Sequence, residues 1–101
     1  ASEAFSRAAS LAPSDFEALA NLGLTEVRRG REASGLEAVE RALALRPDEV
    51  RLLNLAGELH FRRRDYERAR ERLKRSLELN PAQPRIVRAL EEVEAASARS
   101  R

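Results

Sequence analysis

Leu11-Ala12-Pro13, Leu45-Arg46-Pro47 and Leu79-Asn80-Pro81 are three renderings of one tripeptide, and the step from Pro13 to Pro47 equals the step from Pro47 to Pro81. Sliding the chain by that interval superposes Leu19 on Leu53, Gly23 on Gly57, Arg28-Arg29 on Arg62-Arg63, Leu43 on Leu77 and Leu45 on Leu79. Glu3, Glu37 and Glu71 recur in the same register, followed four residues later by Arg7, Arg41 and Arg75. Glu before Arg at that spacing is the favourable order for a helical ion pair, worth about 0.3 kcal/mol. A fixed period of this length marks an array in which each unit buries its apolar face only against its neighbours.

Composition sets the secondary structure of the unit. The 101 residues are 43% hydrophobic but only 4% aromatic, without Trp or Met, so Leu, Ala and Val supply the apolar surface and helix is favoured over sheet. A stack of this length buries a thin continuous core and leaves no room for two globular ones. Charged residues make up 36% of the chain, yet the two signs nearly cancel to +2. The basic side is 18 Arg against the single Lys74, a bias expected of a GC-rich, bacterial genome. Acids alternate with bases along most segments, as on a solvated helix surface rather than a concentrated basic face. Without cysteine there is no disulfide, thiolate metal site or Cys nucleophile, and nothing to mark a redox compartment. No apolar run approaches the roughly 18 residues that span a bilayer, so membrane insertion is not expected.

Start and stop signals divide the chain into helices at 2–11, 15–28, 32–45, 49–62, 66–79 and 84–97. Ser14-Asp15-Phe16-Glu17 reads as a capping box, and Asp48 and Asp65 as N-caps. Gly30 suits the left-handed residue that closes a helix, and each proline of the series ends the helix before it. Arg64 takes the place of Gly30 in the next repeat, where it must adopt a left-handed conformation or change the turn. Gly23 and Gly57 lie inside helices at a cost of about 1 kcal/mol each, which implies close helix approach. Gly35 serves that contact in one repeat and Ala69 in the other. Ile86, Val87, Leu90 and Val93 give the last helix one apolar stripe, the mark of a solvating cap, and fraying is expected beyond Ala98.

These residues resemble the tetratricopeptide repeat family. Leu19-Ala20-Asn21-Leu22-Gly23 and Leu53-Asn54-Leu55-Ala56-Gly57 sit where its first helix alternates large and small residues. Ala42-Leu43-Ala44-Leu45-Arg46-Pro47, and Arg64-Asp65-Tyr66-Glu67-Arg68-Ala69 running on to Ser76-Leu77-Glu78-Leu79-Asn80-Pro81, carry its second-helix signature. The resemblance implies an all-α, right-handed superhelical α-solenoid of antiparallel helix-turn-helix repeats in one domain. Its parts are the second helix of a partial repeat (1–12), two repeats (13–46 and 47–80), a C-terminal capping helix (81–98) and a frayed tail (99–101). The first helix lacks the partner that should precede it, so the chain is expected to be a piece of a longer array. Phe5, Ala8 and Ala9 at that uncovered end provide a surface for homodimerisation.

In such a stack the first helix of each hairpin lines the concave side. Helical phase puts Leu19, Leu22 and Gly23 against the paired helix and leaves Glu17, Ala20, Leu24, Val27 and Arg28 on the second face. The next repeat contributes Arg51, Asn54, Glu58, Phe61 and Arg62, and the cap helix Arg85, Arg88 and Glu92. This groove is expected to bind a peptide or partner protein with apolar and acidic residues, the arginines supplying bidentate hydrogen bonds. The alternative is a structural spacer or homo-oligomerisation segment of a larger repeat protein. The family's chaperone-binding subclass clamps a terminal carboxylate with Lys and Asn where this chain has Ala20 and Leu24, so that clamp is not carried over. The basic run from Arg62 to Arg75 is interleaved with Asp65, Glu67 and Glu71, and nucleic-acid binding is not expected. His60, the only histidine, stands where the family packs an aromatic residue. No nucleophile, phosphate-loop or metal-ligand motif is present, so no enzyme activity and no cofactor are expected.

Overall fold

A helix can begin where the chain tolerates unpaired N–H groups, and Pro13 and Pro84, which have none to leave unpaired, each stand at such a beginning. The computed structural model describes residues 13–100. Among them are α1 (Pro13–Arg28), α2 (Glu32–Leu45), α3 (Val50–Arg62), α4 (Tyr66–Leu79) and α5 (Pro84–Arg99), and no strand. The expected helix at 2–11, its Glu3–Arg7 pair and the dimerising surface lie outside the described residues. The chain divides after Pro47 into two compact units, one holding the hairpin of α1 and α2, the other holding α3, α4 and α5.

Three helix ends depart from the sequence expectation. Ser14, expected just before the first helix, already lies within α1. At α3 the N-cap is Glu49, which makes no side-chain capping bond. Asp48 instead accepts from Arg75 of α4 at 2.7 Å, and Arg75 also donates to Glu78 at 3.2 Å. Asp48 first, and Glu78 after it, hold the guanidinium of Arg75 above its ordinary pKa. The third departure is at the C-terminus, where α5 runs on to Arg99 and the hydroxyl of Ser100 donates to the carbonyl of Ala96.

Both hairpin turns use the same hydrogen bonds. In the first, Gly30 has φ +81°, its N–H donates to Val27 O, and Arg31 N–H reaches back to Glu26 O at 2.8 Å. In the second, Arg64 has φ +64°, donates to Phe61 O, and Asp65 N–H reaches back to His60 O at 2.9 Å. The six-to-one bond defines a Schellman closure in each case. The turns differ at the next residue: Arg31 provides no side-chain cap, whereas Asp65 accepts from the N–H of Arg68 at 3.2 Å.

The interior glycines mark the helix crossings. A β-carbon at Gly23 would lie 2.6 Å from Val39 Cγ2 and 3.1 Å from Gly35 O; one at Gly35 would lie 2.6 Å from Val27 Cγ2 and 2.9 Å from Gly23 O. The first crossing is therefore backbone against backbone. At Gly57 the close neighbours are Cδ2 and Cγ of the Leu73 side chain, with Ala69 O at 3.5 Å. Helical phase in α1 also shifts from expectation. Val27, four residues after Gly23, faces the paired helix, and Leu22 is 50% exposed.

In the first unit Phe16, Leu36, Val39, Ala42 and Leu43 are buried, and Arg46 lays its guanidinium 4.4 Å over the Phe16 ring. In the second, Ala69, Leu73 and Val93 form a core against which Phe61, Tyr66, Ile86 and Leu90 pack, the rings of Phe61 and Tyr66 meeting at 5.8 Å. Val87, expected in the apolar stripe of α5, is 39% exposed, and Ala96 is buried in its stead. His60 is buried in α3 with Nδ1 4.0 Å from Asp65.

Candidate functional site

Short connections join α3 to α4 at residues 63–65 and α4 to α5 at residues 80–83, so neighbouring helices run antiparallel and α3 and α5 run in the same direction. Between them lies a groove of about 540 Å³ with Leu73 of α4 and Val93 of α5 in its lining. Seven residues expected from sequence come together there: Arg51, Asn54, Glu58, Phe61 and Arg62 from α3, and Arg85 and Glu92 from α5. Leu55, Ile86 and Ala89 give the walls their apolar character.

The remaining expected residues are placed differently. Arg88 is exposed on α5 but is not part of the groove lining. Glu17, Ala20, Leu24, Val27 and Arg28 belong to α1 in the first unit, where Glu17 and Arg28 are exposed, Ala20 and Leu24 are half-buried, and Val27 is drawn into the contact with Gly35. Leu55 and Ala89 were not anticipated. Their signal was available, since they occupy equivalent positions of the repeat and each lies four residues after a groove arginine, Arg51 or Arg85.

Asn54 does not stand open at the groove wall. Its Nδ2 donates to Gln83 Oε1 at 2.9 Å, and its Oδ1 accepts from the Ser76 hydroxyl. Gln83 Nε2 in turn donates to Ser76 Oγ at 3.0 Å and to Asn80 O at 2.8 Å. Ser76 is fully buried, and Gln83 is the N-cap position of α5, so the three side chains fasten the start of α5 to α3 and α4. Among the described residues no buried side-chain nitrogen or oxygen lacks a partner. One repeat earlier the equivalent positions hold Ala20, Ala42 and Glu49, which cannot build this ring of bonds.

Charge within the groove is unevenly satisfied. Glu58 and Arg62 pair at 3.3 Å with both side chains more than half exposed. Among the described residues Arg51, Arg85 and Glu92 form no ion pair. Elsewhere on the second unit the basic run is partly neutralised, Arg68 by Asp65 at 3.3 Å and Arg75 by Asp48 and Glu78. The described residues hold no cluster of three or more metal-ligating side chains, and no helix among them is long and apolar enough to cross a membrane.

Antiparallel helical hairpins recurring at a fixed period, with glycines at the crossings and a groove between successive first helices, define a helical repeat protein of the α-solenoid class. The family model described as tetratricopeptide repeat matches residues 1–50 and again 22–84, and the chain belongs to that family. No curated protein matches it. Tetratricopeptide repeats are generally protein–protein interaction modules, and the family is typically a non-catalytic scaffold.

Proposed function

We propose that this chain holds another protein by seating a peptide segment in the groove between α3 and α5. The observation that carries the reading is the combination of apolar walls at Leu55, Phe61, Ile86 and Ala89 with unpaired arginines at Arg51 and Arg85. Apolar surface supplies the driving force for docking, and arginines without partners bind carboxylates in bidentate fashion without first breaking an internal pair. The groove volume suits a few side chains of a peptide rather than a folded domain. Arg88, on the same helix as Arg85, is proposed as an accessory contact for a longer ligand, and Ala20, Leu24 and Arg28 as a separate contact surface of the first unit.

Selection of a displayed random-peptide library against the chain tests this, with Ala89→Arg as the counter-screen because its side chain fills the groove. Enriched peptides that lose binding to Ala89→Arg, while circular dichroism shows the variant folded, support the groove. Failure to enrich any peptide, or enrichment of peptides indifferent to the substitution, contradicts it and favours a structural spacer.

A further inference from the structure

The groove charges recur with the repeat. Arg51 and Arg85 are one repeat apart, as are Glu58 and Glu92, and Leu55 and Ala89 between them. All four charged residues are exposed and line the groove. Within each helix the Arg and Glu are seven residues apart, two turns or about 10.5 Å. Because α3 and α5 run in the same direction, the arginines stand together in the first turns of both helices and the glutamates together two turns further on. Arg62 offsets Glu58 through an exposed i,i+4 contact, which leaves Glu92 as the unpaired acid at that end. The first repeat has Glu17 and Leu24 in the two positions, so its first helix does not carry this polarity.

Resting on the reading of this groove as a peptide seat, we propose that its occupant is an amphipathic helix of a partner protein lying parallel to α3 and α5. That helix is acidic in its first turn, apolar in the middle and basic in its last turn. Spacing selects a helix over an extended strand. A strand covers about 10.5 Å in three residues, and side chains three apart on a strand point to opposite faces. On a helix, residues i and i+7 share a face at the spacing of the two charge rows, with an apolar residue at i+3 or i+4 over Leu55 and Ala89. The charge order sets the direction. Acidic residues in a helix's first turn and basic ones in its last complement its own macrodipole, so the parallel arrangement satisfies the ligand helix and the groove together.

The test uses two synthetic peptides of about four turns with acetylated and amidated ends and identical composition. One carries Glu in the first turn, Leu in the middle and Lys in the last turn; the other reverses the charged ends. Binding is measured by fluorescence anisotropy against the chain, against Ala89→Arg, and against the charge-exchanged variant Arg51→Glu/Glu58→Arg/Arg85→Glu/Glu92→Arg. The chain is expected to prefer the first peptide by about fivefold or more at low salt, and the exchanged variant to prefer the second. The exchanged variant also controls for helicity, since each peptide's own propensity is the same in both arms. A preference of the same sign for both proteins overturns the proposal. Equal binding of both peptides, lost in Ala89→Arg, overturns the charge order while leaving the groove as the binding seat. Binding of neither peptide overturns both.

Discussion

At Gly30 the chain leaves α1 with φ +81° and enters α2 without a side-chain cap; at Arg64 it leaves α3 with φ +64° and enters α4 under the carboxylate of Asp65. The same pair of backbone hydrogen bonds closes both turns. The first is built from an unstrained residue and does without a cap. In the second, a β-carbon in the left-handed region costs about 1 kcal/mol, and an N-cap carboxylate contributes about the same amount in return. The crossings divide in a similar way. The first hairpin meets through two glycines at backbone distance, and the second through a glycine and a side chain. Equivalent positions in a repeat thus reach one geometry by different local balances, and the second unit carries the features that shape a site. These features are the Asn54–Ser76–Gln83 ring that fixes α5 and the groove that α5 completes.

The largest effect is expected where backbone meets backbone. Gly35→Ala should lose about 2 kcal/mol or more, measured by urea denaturation, because the added methyl meets Gly23 O at 2.9 Å and the main chain must separate. Gly57→Ala meets the movable end of Leu73 and gains helix propensity of about 1 kcal/mol, so its loss should be well under that of Gly35→Ala. Equal losses would erase the distinction between the crossings. Next comes Ser76→Ala, which removes the buried hydroxyl from between Asn54 and Gln83. It is expected to lose about 1.5 kcal/mol and to speed hydrogen exchange at the start of α5 before that of α3. Asp65→Ala should lose about 1 kcal/mol and Arg64→Gly gain about the same. The double exchange Arg64→Gly/Asp65→Arg, which writes the first turn into the second, should then shift the denaturation midpoint least of all. A large net loss from it would show that the strain at Arg64 and the cap at Asp65 do not offset one another.

The helices were legible because the repeat register carries their stops and starts along the chain, and α2 and α4 fall at 32–45 and 66–79 as expected. The Gly23 and Gly57 crossings were equally readable, each being a residue type out of place unless the backbone requires it, whereas at Arg64 the sequence left a left-handed residue and a changed turn both open, and the left-handed residue is the one adopted. What escaped was anything settled by a distant partner. Asp48 looks like a cap locally, and Arg75 claims it from α4. Leu22 and Val27 exchanged faces because one residue of helix is about 100° of phase, which pattern alone leaves open when apolar residues crowd both sides. In the groove the charges were visible on the first-helix face, whereas Leu55 and Ala89 sat unnoticed among them. Asn54 read as an open amide because its partners, Ser76 and Gln83, are brought to it only by the fold.

The most direct test of the central claim, that the second unit holds the partner, is amide hydrogen exchange of the chain with and without a saturating library-selected peptide. Protection is predicted in α3 and α5, centred on residues 51–62 and 85–93, with α1 and α2 exchanging as before. Protection confined to α1 and α2, or none in α5, would contradict it.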